Sequence, residues 1–294
     1  MDNPLRGVVL MLAATLCFST SDAMSKYLGR YMPVIEIGFI RYVVFVVLAL
    51  ALMRGGVGRG QMLARLHVRG PALQILRGLC LVGSALLFIL GLRYLPLADA
   101  SSVGFLSPML ITMLSGPLLG ETIGPRRWVA TGVGFIGVLV IARPGTGAFQ
   151  PAALVVMSSS LCWALGSVLT RRMTRGDEAL ATLVWTSVSG LVVLSLALPF
   201  VYVAPGMGLL LFAILLGAVS SAGQYLMLHA YRAAPASLLA PFTYIQLIYA
   251  TTFGYLFFDT LPDAWTFAGA GIIIASGIYT ARRERLRRGG ESAT

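Results

Sequence analysis

The sequence predicts an all-α integral membrane protein of ten transmembrane helices in two inverted five-helix repeats, and three observations carry that prediction. Hydrophobic residues make up 57% of the chain and charged residues only 11%, with a mean hydropathy of +0.85. A water-exposed surface needs far more charge, so lipid is the solvent for most of the chain. Apolar runs long enough to span a bilayer recur along its length, and its two halves repeat one another.

Crossing roughly 30 Å of hydrocarbon takes about 20 apolar residues. The first such run, residues 5–28, follows Met1-Asp2-Asn3-Pro4-Leu5-Arg6 without a small-residue cleavage site, and reads as a retained span with its N-terminus in the cytoplasm. Span two (33–53) carries Glu36 and Arg41 near its start, placed to pair with each other or with neighbouring helix ends. Spans three and four (71–94 and 97–119) are divided by Arg93-Tyr94-Leu95-Pro96, and span five (126–143) is glycine-rich. Spans six to ten fall at 150–173, 180–203, 206–231, 236–258 and 264–281, ahead of a basic tail.

Charge orients this array. With the N-terminus inside, inward loops and tails hold 16 of the 22 basic residues, while outward segments hold Lys26, Arg30, Arg93 and Arg143; Arg41 and Arg77 lie within spans. The positive-inside rule then places both termini in the cytoplasm. The net charge of +11 is spread in short clusters between apolar segments, which suits a bilayer and not nucleic acid. Cys17, Cys80 and Cys162 lie inside apolar runs and read as packing residues, with neither disulfide nor metal-site spacing.

The repeat has a period near 145 residues. Leu16-Cys17-Phe18 returns as Leu161-Cys162-Trp163, with Lys26 falling on Arg171; Arg93-Tyr94-Leu95-Pro96 returns as Arg232-Ala233-Ala234-Pro235; Trp128, Gly132 and Gly134 return as Trp265, Gly269 and Gly271. The first repeat covers 1–145 and the second 146–294, tail included. Five spans per repeat is odd, so the second half is expected upside down relative to the first, with a site near the midplane between them.

These residues resemble the drug/metabolite transporter superfamily, and within it the EamA-type ten-span carriers, over nearly the whole chain. The resemblance is carried by Leu16-Cys17-Phe18-Ser19 and its Leu161-Cys162-Trp163 counterpart, by Leu92-Arg93-Tyr94-Leu95-Pro96, by the Ser107-Pro108 bend followed by Gly120-Glu121, and by the glycine-rich fifth and tenth spans. The second repeat departs from the Gly-Glu pattern with Phe258-Asp259, which keeps a carboxylate and loses the glycine. The resemblance implies a bacterial inner-membrane exporter of small metabolites or drugs working by alternating access, and the YddG-like aromatic amino-acid exporters look nearest.

Candidate site residues follow from polar side chains in apolar helices. Phe18, Asp22 and Ser25 share one helical face of span one, and Ser159, Trp163, Ser167 and Thr170 share one of span six; the repeat maps Phe18 onto Trp163 and Asp22 onto Ser167. An aromatic platform flanked by hydroxyls suits a flat amphipathic solute, although Ser and Thr also glue helices together. A carboxylate inside a span costs about 2.5–3.5 kcal/mol on insertion scales, so Asp22 reads either as a group for an ammonium or a proton or as the ion-pair partner of Lys26. Gln224 in span eight, with Tyr244 and Gln246 in span nine, adds amides that need partners lipid cannot supply. Pro108 and Pro241 are expected to bend spans four and nine. The glycines of spans five and ten permit a dimer contact or packing within one chain, so monomer and homodimer both stand.

An enzyme would need a constellation that the sequence does not contain. His67 and His229 are the only histidines, and there is no HExxH, Walker loop or Ser/His/Asp grouping at a common depth, so neither metal nor cofactor is expected. The expected function is secondary transport of small amphipathic solutes, aromatic amino acids favoured, outward and by facilitated diffusion. Proton antiport through Asp22 is the alternative, and an intramembrane enzyme is the rival from another class.

Overall fold

The computed structural model describes residues 4–54, 66, 68, 70–120, 125–143, 151–173, 179–234, 239 and 242–291, which are helical or joined by short turns, with no strand among them. The helices are α1 (Pro4–Leu28), α2 (Val34–Arg54), α3 (Pro71–Tyr94), α4 (Leu97–Gly104), α5 (Ser107–Leu119), α6 (Pro125–Ala142), α7 (Ala152–Met173), α8 (Ala179–Ala197), α9 (Met207–Ala233), α10 (Ile245–Phe258) and α11 (Ala264–Glu291). Seven stretches are long and apolar enough to cross a membrane, the fourth being Leu97–Leu119, which runs through α4 and α5. Trp128–Ala142, Ile245–Phe258 and Ala264–Tyr279 are shorter apolar helices.

Local sequence explains the interruptions. Pro108 has no N–H and its ring crowds the carbonyl four residues back, so the fourth stretch breaks at Phe105–Leu106. The Ser107 hydroxyl donates to the Gly104 carbonyl at 2.6 Å and supplies the hydrogen bond that Pro108 cannot. Helix α5 ends on Gly120 in the left-handed region (φ 73°), and α10 ends on Asp259 in the same region (φ 53°). The second half therefore aligns Asp259 with Gly120, 139 residues earlier, and not with Glu121. The residue that replaces the glycine is one of the few others that tolerate this conformation.

Packing joins the N-terminal and C-terminal parts of the chain throughout. Helix α1 lies against α9 and α10, while α7 lies against α3 and α5. Helix α2 packs on α8 and α9, α3 also reaches α8, and α6 packs on α11. The α6–α11 contact depends on small residues: a Cβ at Gly137 would come within 2.8 Å of the Gly269 carbonyl oxygen, and one at Gly269 within 2.6 Å of the Gly137 carbonyl. Such close approach is how helices associate where lipid removes the hydrophobic drive. The largest apolar cluster centres on Leu92, Leu97, Leu106, Met109, Ile141 and Ile273.

Candidate functional site

Asp22 is half-buried on α1 and meets the second half of the chain. Its Oδ2 accepts a hydrogen bond from Gln246 Nε2 on α10 at 3.3 Å, and one turn earlier Ser19 Oγ donates to the Gln246 carbonyl at 3.1 Å. The Phe18 ring lies beside Gly223 of α9, where a Cβ would approach it to 3.0 Å. Gln224, the next residue on α9, is half-buried. Arg41 of α2 is within Coulomb reach of Asp22 without an ion pair between them. A carboxylate, an amide and an aromatic ring thus gather where α1 meets α9 and α10, with the Arg41 guanidinium of α2 in Coulomb reach.

The pairing of Asp22 with Lys26 that their spacing permits does not form. Lys26 Nζ instead donates to the carbonyls of Leu92 at 2.7 Å and Leu95 at 2.5 Å, satisfying acceptors at the C-terminal end of α3 that have no partner within the helix. Glu36 is buried at the first turn of α2 and makes no ion pair with Arg41.

Trp163 and Ser167 are half-buried on α7. Other residues of that face serve packing: Ser159 Oγ donates to the Ser84 carbonyl at 2.7 Å, and Thr170 Oγ1 accepts from Arg77 Nε at 2.6 Å. Tyr244 stands at the turn before α10, its ring 5.0 Å from that of Phe105 and its hydroxyl against Gly277. Pro108 is exposed at the second position of α5, just past the break, and Pro241 lies outside the described residues. A lateral groove of about 460 Å³ between α5, α6 and α7 is lined by Leu106, Leu110, Met113, Trp128 and Phe135 among others, and by none of the candidate residues.

Two polar clusters escaped the sequence reading. Arg77, 8% exposed within α3, donates to Thr170 and Thr186 hydroxyls and to the Thr182 carbonyl, so a buried cation is held wholly by neutral acceptors on α7 and α8. Asp99, 4% exposed in the first turn of α4, lies 3.0 Å from the Thr266 hydroxyl of α11, which is also 3.1 Å from Asp263 Oδ1. Asp263 caps α11 by accepting the Thr266 amide at 2.9 Å and pairs with Arg143. Burial raises the Asp263 carboxyl, but the Thr266 amide, the Arg143 guanidinium and the Thr266 hydroxyl together hold it below the usual carboxylate range. A carboxylate and a cation inside apolar runs were the available signals for Asp99 and Arg77.

A multi-pass helical bundle with polar groups gathered between its helices has the build of a membrane transport protein. The chain belongs to the EamA-like transporter family, whose profile matches residues 5–143 and again 150–281. It is similar to an S-adenosylmethionine uptake transporter of Rickettsia prowazekii (strain Madrid E), at 29% identity over 96% of this chain and 94% of the relative. It is similar to a riboflavin transporter of Vibrio cholerae, at 27% identity over 96% and 95%, and to a pseudopaline exporter of Pseudomonas aeruginosa, at 29% over 95% and 97%. A crystal structure 19% identical in sequence matches with a TM-score of 0.65 over 95% of this chain and 98% of that one, a likeness of fold alone. The protein is therefore a membrane transporter and not an enzyme. None of these relatives is named as an aromatic amino-acid exporter, and their names include both uptake and export.

Proposed function

We propose that the protein is a secondary carrier of small amphipathic metabolites that combine an amino-acid-like zwitterion with a flat ring, aromatic amino acids among them and cationic drugs at the margin. It works by alternating access between two inverted halves, 1–145 and 146–294. The observation that carries this reading is the convergence of Asp22, Arg41 and Gln246 beside Phe18. Opposite charges held near one another without contact complement an ammonium and a carboxylate on one solute, and the ring supplies a stacking face. Trp163, Ser167, Gln224 and Tyr244 complete the proposed lining.

The packing supports the inverted arrangement. Exchanging the halves turns the α1 contacts with α9 and α10 into the α7 contacts with α3 and α5 and leaves α2–α8 and α6–α11 unchanged. Phe105 and Tyr244, 139 residues apart like Gly120 and Asp259, mark the breaks in corresponding helices and pack against one another with tilted rings. The three shorter apolar helices bring the seven longer stretches to ten spans. The excess of inward basic residues favours a bacterial inner membrane with both termini cytoplasmic. Transport is facilitated, its direction following the solute gradient, with export the physiological sense.

Counterflow in proteoliposomes loaded with phenylalanine, tryptophan, S-adenosylmethionine or riboflavin tests the reading. Exchange without a pH gradient is expected, and Asp22→Asn is expected to retain a substantial share of it, because no proton is carried. If exchange needs a pH gradient and well-folded Asp22→Asn protein loses that coupling, proton antiport replaces facilitation. If no zwitterion exchanges, the substrate class is wrong.

A further inference from the structure

We propose that Lys26, Arg30 and Arg93 form a binding site for an oxyanion, a carboxylate or phosphate group, at the end of the bundle where α1 and α3 finish. These residues line a cavity of about 170 Å³ together with Gly29, Leu92 and Tyr94, with no acidic side chain in its wall. None of Phe18, Asp22, Arg41 and Gln246 lines it, so the site is separate from the one around Asp22. It takes the anionic group of a solute at the mouth of the pathway or of a lipid headgroup beside it.

Three features require an anion. First, Lys26 and Arg30 are in Coulomb reach of one another, and the Phe258 ring of α10 lies 5.6 Å from the Lys26 ammonium and 5.2 Å from the Arg30 guanidinium, so one aromatic face collects two like charges. Like charges brought together cost free energy that a bound anion recovers. Asp99 is also in reach of Lys26, but it does not line the cavity and accepts from Thr266.

Second, donors are left over. Lys26 has three N–H groups and gives two to carbonyls; Arg93 has five and is bonded to the Met32 carbonyl; Arg30 makes no hydrogen bond to the described residues. Helix-end capping accounts for Lys26 and part of Arg93. It leaves Arg30, which lies over the Phe258 ring, with none of its guanidinium donors bonded to the described residues.

Third, the repeat carries the same triad. Lys26 and Arg30 fall on Arg171 and Arg175 at an offset of 145, and Arg93 falls on Arg232 at 139. The proposed inverted arrangement assigns this second set of residues to the opposite membrane face, and Arg175 lies outside the described residues. The inward triad also satisfies the positive-inside rule; the outward one does not. Three of the four basic residues on the outward segments nonetheless line this cavity, and the fourth, Arg143, pairs with Asp263.

The membrane face rests on the proposed orientation, but the binding test does not. Inorganic phosphate is titrated into the full chain in a neutral detergent, with chloride keeping ionic strength constant, and followed by calorimetry and by the melting temperature. Saturable binding is expected for the wild type, at least tenfold weaker binding for Arg30→Gln, and most of the affinity restored by Arg30→Lys. Arg30 is exposed and outside the packed core, and gel filtration checks that the variants fold. No saturable binding by the wild type, or equal binding by Arg30→Gln, overturns the proposal whatever the transport assays give. Where binding is found, displacement by short-chain phosphatidylglycerol but not phosphatidylcholine identifies a lipid headgroup as the occupant, and resistance to both identifies a soluble anion.

Discussion

The two halves of the chain share a plan of packing but not a chemistry. Among the described residues, the charged side chains buried or half-buried away from the rim lie in the first half: Asp22, Lys26, Glu36, Arg41, Arg77 and Asp99. The corresponding interior of the second half offers hydroxyls, amides and rings. Asp22 meets Gln246, Arg77 meets Thr170, Thr182 and Thr186, Asp99 meets Thr266, and Lys26 sits over Phe258. Three of these charges, Asp22, Arg77 and Asp99, are thus met across the interface between halves by neutral partners, while Lys26 donates to carbonyls of its own half and Glu36 forms no ion pair among the described residues. A hydrogen bond from a charge to a neutral group is worth about 1.5–3 kcal/mol, whereas separating a buried ion pair costs about 3–5 kcal/mol. An interface built this way holds these charges without locking them in ion pairs, which suits the alternating access proposed above. The ion pair between halves, Arg143 with Asp263, stands at the rim, where water lowers the cost of parting it.

The largest expected effect comes from breaking this division on its charged side. Arg77→Ala removes a buried guanidinium with three acceptors and leaves a gap between α3, α7 and α8, and we expect a loss of about 3 kcal/mol in detergent unfolding. Thr186→Val, on the neutral side, leaves Arg77 two of its acceptors and should cost about 1 kcal/mol. Equal losses from the two variants would mean that the hydroxyls organise the contact as much as the charge does.

The division also explains what the sequence could and could not reveal. Span positions are local matters of composition, so α1, α2, α3 and α9 fall close to their predicted limits. Asp22 and Gln246 each stood out as a polar side chain in an apolar run, yet their meeting joins residues 224 apart and depends on how α10 packs on α1. Lys26 looked like a partner for Asp22 because helical spacing puts them one turn apart. Its actual acceptors are carbonyls at the end of α3, which exist only because that helix stops before Pro96. Asp99 and Thr266 had no local pattern joining them.

A smaller effect is expected at a pair where the halves do match. Phe18 and Trp163 occupy equivalent turns of α1 and α7, and aromatic stacking adds about 0.5–1.5 kcal/mol beyond area burial, roughly a two- to tenfold preference. Trp163→Ala should reduce exchange of aromatic solutes by that factor relative to aliphatic ones. Phe18→Ala should do the same if both rings face one site. Loss of thermal stability with an unchanged aromatic preference would make Trp163 a packing residue and confine the aromatic wall to Phe18.

The smallest effect belongs to the rim pair, and pH isolates it. The Asp263 carboxyl is held below its ordinary range, so its folded-state pKa lies under the unfolded value of about 3.9. A carboxylate shifted in this direction contributes its full stability above the unfolded pKa and loses it as pH falls through the folded one. Asp263→Asn keeps a side chain able to cap α11 and removes the charge facing Arg143, so the variant should melt slightly below the wild type at pH 7. Asp263 is 48% exposed, which limits the ion pair to under about 1 kcal/mol and makes it sensitive to salt. The gap between the two melting temperatures should stay constant from pH 8 to about pH 5 and close as the pH falls below about 4. A gap that persists at pH 3, or one that is indifferent to salt at pH 7, would show that Asp263 acts there through the helix cap alone, and the rim would then be neutral in effect like the rest of the interface.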